Sequence, residues 1–183
     1  LSQIYDAKGD YDTALRYLEQ SLAIQRQIGD RKGEGTTLNN LAATAHAKGD
    51  YDTALRYLEQ SLAIQQQIGD RAGEGATLNN LSQIYKARGD YDTALRYLEQ
   101  SLAIRQQIGD INGLATTLNN MARIVFEQQA EPERALPMFM RSYSIFKQIG
   151  SPHERVPMEY IEDIIQAIGE ARFQEILAEL QGE

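Results

Sequence analysis

YDTALRYLEQSLAIQRQIGD, running from Tyr11 to Asp30, returns at Tyr51 to Asp70 with one change and at Tyr91 to Asp110 with two. The period is 40 residues, and a fixed period of that order signals a solenoid or another repeat array. A fourth, diverged copy runs from Ile111 to Gly150. It keeps Thr117-Leu118-Asn119-Asn120 and Lys147-Gln148-Ile149-Gly150 but carries one extra residue around Glu131. The spacing therefore predicts an array over 1–150, with a partial first unit at 1–30 and units at 31–70, 71–110 and 111–150. Residues 151–183 match the repeat poorly and form a separate segment.

Each period reads as two helices. Within the quoted stretch, Tyr51, Ala54, Leu55, Leu58, Leu62 and Ile68 fall on one broad face, and Asp52, Arg56, Glu59 and Gln60 on the other, the pattern of an amphipathic helix. Asp50 precedes it as a capping side chain, behind Gly49 in the turn. Gly69 ends it, and Asp70 caps the next helix. That next helix carries Leu78, Leu81, Ile84 and Tyr85, again at helical spacing. No segment alternates as a strand does.

Composition narrows the functional classes. The chain has 42% hydrophobic residues, enough for a packed core, and no cysteine. Disulfides, thiolate metal sites and thiol nucleophiles are thereby excluded. The net charge of -8 disfavours nucleic acid, whose binding rests on clustered Lys and Arg. No apolar run reaches the ~18 residues of a membrane span, and Leu1 to Asp10 does not read as a signal peptide. A cytoplasmic location is expected.

A family resemblance becomes specific at Leu78, Leu81, Ser82 and Tyr85, followed by Gly89-Asp90-Tyr91 and then Ala94, Leu98 and Ser101. This run resembles the large-and-small signature of the tetratricopeptide repeat (TPR), with Leu78 in place of the usual Trp and Ser82 in place of the usual Gly. A HEAT-like solenoid has a similar period, but Gly-Asp-Tyr followed by the small residues favours TPR. The longer period, with IGDRAGEGATLNNL between units, is similar to the repeats of Pins-type adaptors, kinesin light chains and many bacterial signalling proteins. The resemblance implies an all-α, right-handed solenoid of antiparallel helix pairs, with residues 151–183 as a C-terminal capping pair. Near-identical copies fit recent duplication or consensus engineering, and the diverged fourth unit favours a natural source. By repeat register the chain opens inside a first helix, which suggests a piece of a longer array.

The resemblance also implies where a ligand sits: a concave face lined by the first helix of each pair. The groove positions carry over to Thr36, Asn39, Asn40, Ala43, His46 and Ala47; to Ala76, Asn79, Asn80, Gln83, Lys86 and Ala87; and to Thr116, Asn119, Asn120, Arg123, Phe126 and Glu127. The partial first unit adds Gln3, Asp6 and Ala7. Asparagine is a mediocre helix former, yet it offers both a donor and an acceptor, as an extended peptide backbone requires. A column of Asn40, Asn80 and Asn120 would hold a main chain. The column Asn39, Asn79 and Asn119 is the more structural of the two. His46, Gln83, Lys86, Arg123 and Phe126 vary between units and would select among ligands, the cations favouring an acidic one.

Other motifs have ordinary structural readings. The repeated Asp-Tyr-Asp (Asp50-Tyr51-Asp52 and its equivalents) supplies a cap and a first-turn acid. Gly33-Glu34-Gly35 and Gly73-Glu74-Gly75 lack the Lys-Ser/Thr of a phosphate loop and start helices; close helix packing explains them. His46 and His153 are the two histidines, and their spacing suggests neither a metal site nor a base beside a nucleophile. No cofactor, metal or catalysis is expected.

All four prolines, phenylalanines and methionines lie beyond residue 120. Ser151-Pro152-His153-Glu154 reads as a helix start with a capping box, which Pro157 delays or kinks. Met158, Ile161, Ile164, Ile165 and Ile168 form one apolar face; Phe173, Ile176, Leu177 and Leu180 form another. The leading function is a non-enzymatic scaffold that holds a peptide of another protein. The alternatives are a self-assembly module and a sensor array of a larger signalling protein. The missing first turns predict partly uncovered Leu15, Leu18 and Leu22, and weak self-association through that end.

Overall fold

The structure, a computed structural model, describes residues 10–181; Gln3, Asp6 and Ala7 lie outside the described residues. The chain divides into two compact units, Leu1–Ile104 and Arg105–Glu183. Among the described residues there are nine α-helices, one 3-10 turn and no strand.

In the first unit α1 (Tyr11–Ile28), α2 (Arg31–Ala47), α3 (Tyr51–Ile68) and α4 (Arg71–Ala87) pack consecutively, and α2 also packs on α4. A fifth helix, α5, spans Tyr91–Ile108. The Asp-Tyr joints set the helix starts. Asp50 accepts a hydrogen bond from the Thr53 amide at 3.1 Å, and this bond holds its carboxyl below the ordinary value. Gly29 ends α1 at φ 73° and Gly69 ends α3 at φ 70°, a left-handed conformation that glycine adopts without strain. The first-turn acids do more than face the helix dipole. Asp12 pairs with Lys48 at 2.5 Å, and Asp52 pairs with Arg88, each across 36 residues of sequence.

Close helix packing fits the second glycine of Gly-Glu-Gly, whose carbonyl accepts from a serine of the next helix; the first glycine lies at the cap. A Cβ on Gly33 would stand 2.2 Å from Oδ2 of the capping Asp30, so another residue there would have to move the capping carboxylate. The Glu between the glycines is buried and charge-paired: Glu34 meets Arg26 at 2.8 Å and also Arg31, and Glu74 meets Arg71.

Two apolar clusters fill the unit. Leu18, Leu22, Leu38, Leu41 and Ile64 form one. Ala42, Ala45, Ala54, Leu58, Leu78, Leu81, Ile84 and Ile104 form the other. Two expectations change here. Leu18 and Leu22, predicted to be partly uncovered, are 5% and 7% exposed because α2 covers them with Leu38 and Leu41. Ile68 is 39% exposed, and Ile64 one turn earlier takes the core position. The small residues act as read. Ser61 and Ser101 are fully buried and donate to the carbonyls of Gly35 and Gly75, both at 2.8 Å, which requires close approach of the helix backbones.

In the second unit α6 (Ile111–Glu127) packs on α7 (Pro132–Gln148). A 3-10 turn (Pro152–Glu154) leads into α8 (Arg155–Ile168), which packs on α7 and on α9 (Glu170–Gln181). Ser142 repeats the serine contact, donating to the Ala115 carbonyl at 2.9 Å. The capping box does not form: Ser151 accepts from the His153 amide at 3.3 Å. The α-helix starts at Arg155, so Pro157 stands in its first turn, where no intrahelical donor is lost. Ile161, Ile164 and Ile176 are buried, whereas Met158 and Leu180 are 38% and 40% exposed and stand outside the apolar faces. Arg172 of α9 forks onto Glu133 of α7 at 3.0 and 2.8 Å. These bonds hold the Glu133 carboxyl low and the guanidinium high.

The extra residue of the fourth unit leaves a mark. Ala130 has φ 54° at the turn where earlier units place glycine, a conformation that costs an L-residue about 1–2 kcal/mol. Ala130→Gly should therefore stabilise the second unit by roughly 0.5–1 kcal/mol, less than the strain because glycine also loosens the unfolded chain. Urea denaturation measures it, and an unchanged or lower midpoint would refute the strain.

Candidate functional site

The two asparagine columns separate physically in the first unit. Adjacent helical residues point about 100° apart, so Asn39 and Asn40 cannot serve the same face. Asn39 is half-buried and turns toward α3 and α4. Its Nδ2 donates to Ser61 Oγ and Thr77 Oγ1, both at 2.7 Å. Ser61 passes its own proton to the Gly35 carbonyl and Thr77 passes its to Gln65 Oε1 at 2.6 Å. Asn80 of α4 then donates to Asn39 Oδ1 at 3.0 Å. Every hydroxyl in this chain accepts once and donates once, so the donor directions are consistent throughout.

Asn40, one residue on, is exposed, as is Ala43 a turn later. Asn80, Gln83, Lys86 and His46 are half-buried. Ala43, His46, Asn80 and Gln83 meet around a cleft of roughly 340 Å³, floored by Ala42, Leu58 and Ile84. The His46 ring lies against Tyr51, 5.6 Å between centroids. Asn80 is thus shared between the two columns: its amide nitrogen serves Asn39 and its side chain lines the cleft. Asn79 is half-buried on the same helix.

The second unit treats its predicted residues differently. Arg123 and Phe126, both half-buried, lie against Tyr160, a residue outside the sequence expectation. Arg123 Nε donates to Tyr160 Oη at 3.0 Å and to Glu127 Oε1 at 3.2 Å, and Tyr160 donates to Glu127. The Tyr160 ring stacks on Phe139 at 4.8 Å and meets Phe126 edge-on at 5.9 Å. Burial, then the bond to Glu127, raises the Tyr160 phenol. Arg123 is therefore engaged within its own unit rather than presented as an open cation. Asn120 is half-buried. Asn119 is 9% exposed, and its Oδ1 has no hydrogen-bond partner. Thr116, Asn119, Phe146, His153 and Val156 line a second cleft of roughly 360 Å³. Sequence register could have signalled it, because Phe146 breaks the polar position held by Gln65.

Among the described residues, no three His, Asp or Glu side chains cluster as a metal site, and no helix is long and apolar enough to cross a membrane.

The tetratricopeptide repeat family model matches residues 1–67, 33–107 and 73–148. With paired helices at a 40-residue period, the chain belongs to the tetratricopeptide repeat family. Several solved structures share the fold. One is a kinesin-light-chain-type protein of Podosopora anserina with nearly identical TPR-like repeats, 22% identical over 100% of this chain and 90% of that one, TM-score 0.72. A second is BtubC (BKLC) from P. vanneervenii, 19% identical over 100% of this chain and 79% of that one, TM-score 0.81. A third is a Rap protein complexed with competence and sporulation factor, 18% identical over 91% of this chain and 50% of that one, TM-score 0.58. No curated protein sequence matches the chain.

Proposed function

We propose that this chain is a non-enzymatic interaction module whose α2–α4 face holds an extended peptide segment of another protein. The observation that carries this reading is the cleft at Ala43, His46, Asn80 and Gln83, with exposed Asn40 beside it. Carboxamides there offer donors and acceptors to a peptide main chain, over an apolar floor that takes one side chain. TPR repeats serve generally as protein-interaction scaffolds, and one structure of similar fold is a Rap protein complexed with competence and sporulation factor. Lys86 favours a ligand that carries carboxylates. Arg123 contributes less than its sequence position implies, because Glu127 already neutralises it.

Selection from a displayed library of extended peptides tests the reading. Selected peptides should bind Asn40→Ala plus Gln83→Ala about ten- to a hundredfold more weakly, two lost hydrogen bonds at roughly 0.5–1.5 kcal/mol each. The melting temperature should stay close to that of the parent, since neither side chain belongs to the Asn39 network. Undiminished binding by the double variant would sink the proposal.

A further inference from the structure

The two units place the same asparagine in opposite circumstances. In the first, Asn39 Oδ1 receives the Asn80 carboxamide at 3.0 Å, and its Nδ2 is taken by Ser61 and Thr77. In the second, Asn119 Oδ1 is buried and receives nothing. The cause is legible in register. Counting the extra residue of the fourth unit, Phe146, Met158 and Ile161 stand where the first unit has Gln65, Thr77 and Asn80. The serine contact survives, with Ser142 donating to Ala115 at 2.9 Å, but the rest of the polar network has become apolar. A buried acceptor without a donor is costly, and such an atom calls for an explanation. The Asn119 side chain lines a cleft of roughly 360 Å³ together with Thr116, Phe146, His153 and Val156.

We infer that this cleft is a second binding site, distinct from the α2–α4 face, and that it takes the primary carboxamide of a glutamine or asparagine side chain from a bound segment. The first unit shows which chemistry the position accepts: there the Asn80 carboxamide, from the second helix on, meets the asparagine oxygen. In the second unit that helix supplies Ile161, so the donor must come from outside. A half-turn of the Asn119 carboxamide about its terminal torsion, a broad and soft degree of freedom, turns its oxygen to the cleft. An incoming carboxamide can donate to that oxygen and accept from the neighbouring Nδ2. A carboxylate lacks the donor, and an apolar side chain lacks both. Phe146 and Val156 flank the methylenes of the incoming side chain and exclude water, which strengthens the amide pair.

Three capped amino acids with identical backbones isolate the side chain: N-acetyl-glutamine, N-acetyl-glutamate and N-acetyl-methionine N-methylamides. In nuclear magnetic resonance titrations, the glutamine compound should shift the Asn119 amide and the Phe146 and His153 ring signals. The other two should bind about five- to tenfold more weakly, the worth of one such hydrogen bond. Val156→Phe, at a rim residue that is 37% exposed, should block the titration while leaving Asn119 and the fold untouched. Asn119→Leu should abolish the preference for glutamine over methionine. Equal shifts from all three compounds, no shift up to the solubility limit of the glutamine compound, or undiminished binding by Val156→Phe would each overturn the inference. None of these results bears on the α2–α4 face, whose test uses other residues and another unit.

Discussion

Phe139→Ala should cost the second unit about 3–5 kcal/mol of unfolding free energy, the usual range for a fully buried phenylalanine. Phe139 is 0% exposed and its ring lies nearly parallel to Tyr160, 5° between planes. Tyr160 in turn orients Arg123 and Glu127, so the truncation opens a cavity and frees a hydrogen-bonded cluster together. Urea unfolding followed by far-ultraviolet circular dichroism measures the loss. Phe139→Leu, which keeps most of the volume, should recover more than half of it. A loss below about 1 kcal/mol, typical of a surface change, would mean that Phe139 is not the keystone of α6, α7 and α8.

Asn39→Ala should lower the stability of the first unit by roughly 2–4 kcal/mol, from three hydrogen bonds lost among mostly buried partners. Ser61 and Thr77 are both 0% exposed, so the lost hydrogen bonds fall on core hydroxyls. Asn39→Asp separates hydrogen bonding from size. An aspartate fills the same volume but cannot donate to either hydroxyl, and it brings a partly buried charge. At neutral pH it should be at least as damaging as alanine. If aspartate were tolerated and alanine were not, volume rather than the donor pattern would be what matters at this position.

The sequence displays some of this plainly and conceals the rest for identifiable reasons. Helix ends were legible because their signals are local: Asp50 caps Thr53 only three residues away, and Gly69 supplies its own left-handed turn. The choice between Ile64 and Ile68 was not legible. Both are apolar and one turn apart, and only the neighbouring helix decides which one is covered. The same limit applies to paired asparagines. Repeat register assigns Asn39 the more structural place, but its partners, 22 and 38 residues away, are not legible in Asn39-Asn40 itself. Arg123 reads as a groove cation until Tyr160, 37 residues on and outside the repeat, is brought against it. The orphaned Asn119 was hidden for the converse reason. Its motif is intact, and what changed is the distant set of partners that the motif needs.

The seam at Asn39 also bears on how such a chain changes length. Its partners come from the same period and the next, and each contact falls at a fixed phase of the 40-residue repeat. Removing or inserting a whole period replaces Ser61, Thr77 and Asn80 by Ser101, Thr117 and Asn120, residues of identical type. Unequal exchange between near-identical copies therefore passes through folded products whenever the step is a whole period. A step of another size falls on a turn, as the extra residue of the fourth unit does, and there the serine contact survives, with Ser142 donating to Ala115. The fourth unit, with the strained Ala130 at its additional residue and an unanswered Asn119 whose partners have changed type, marks where this array stops being freely interchangeable.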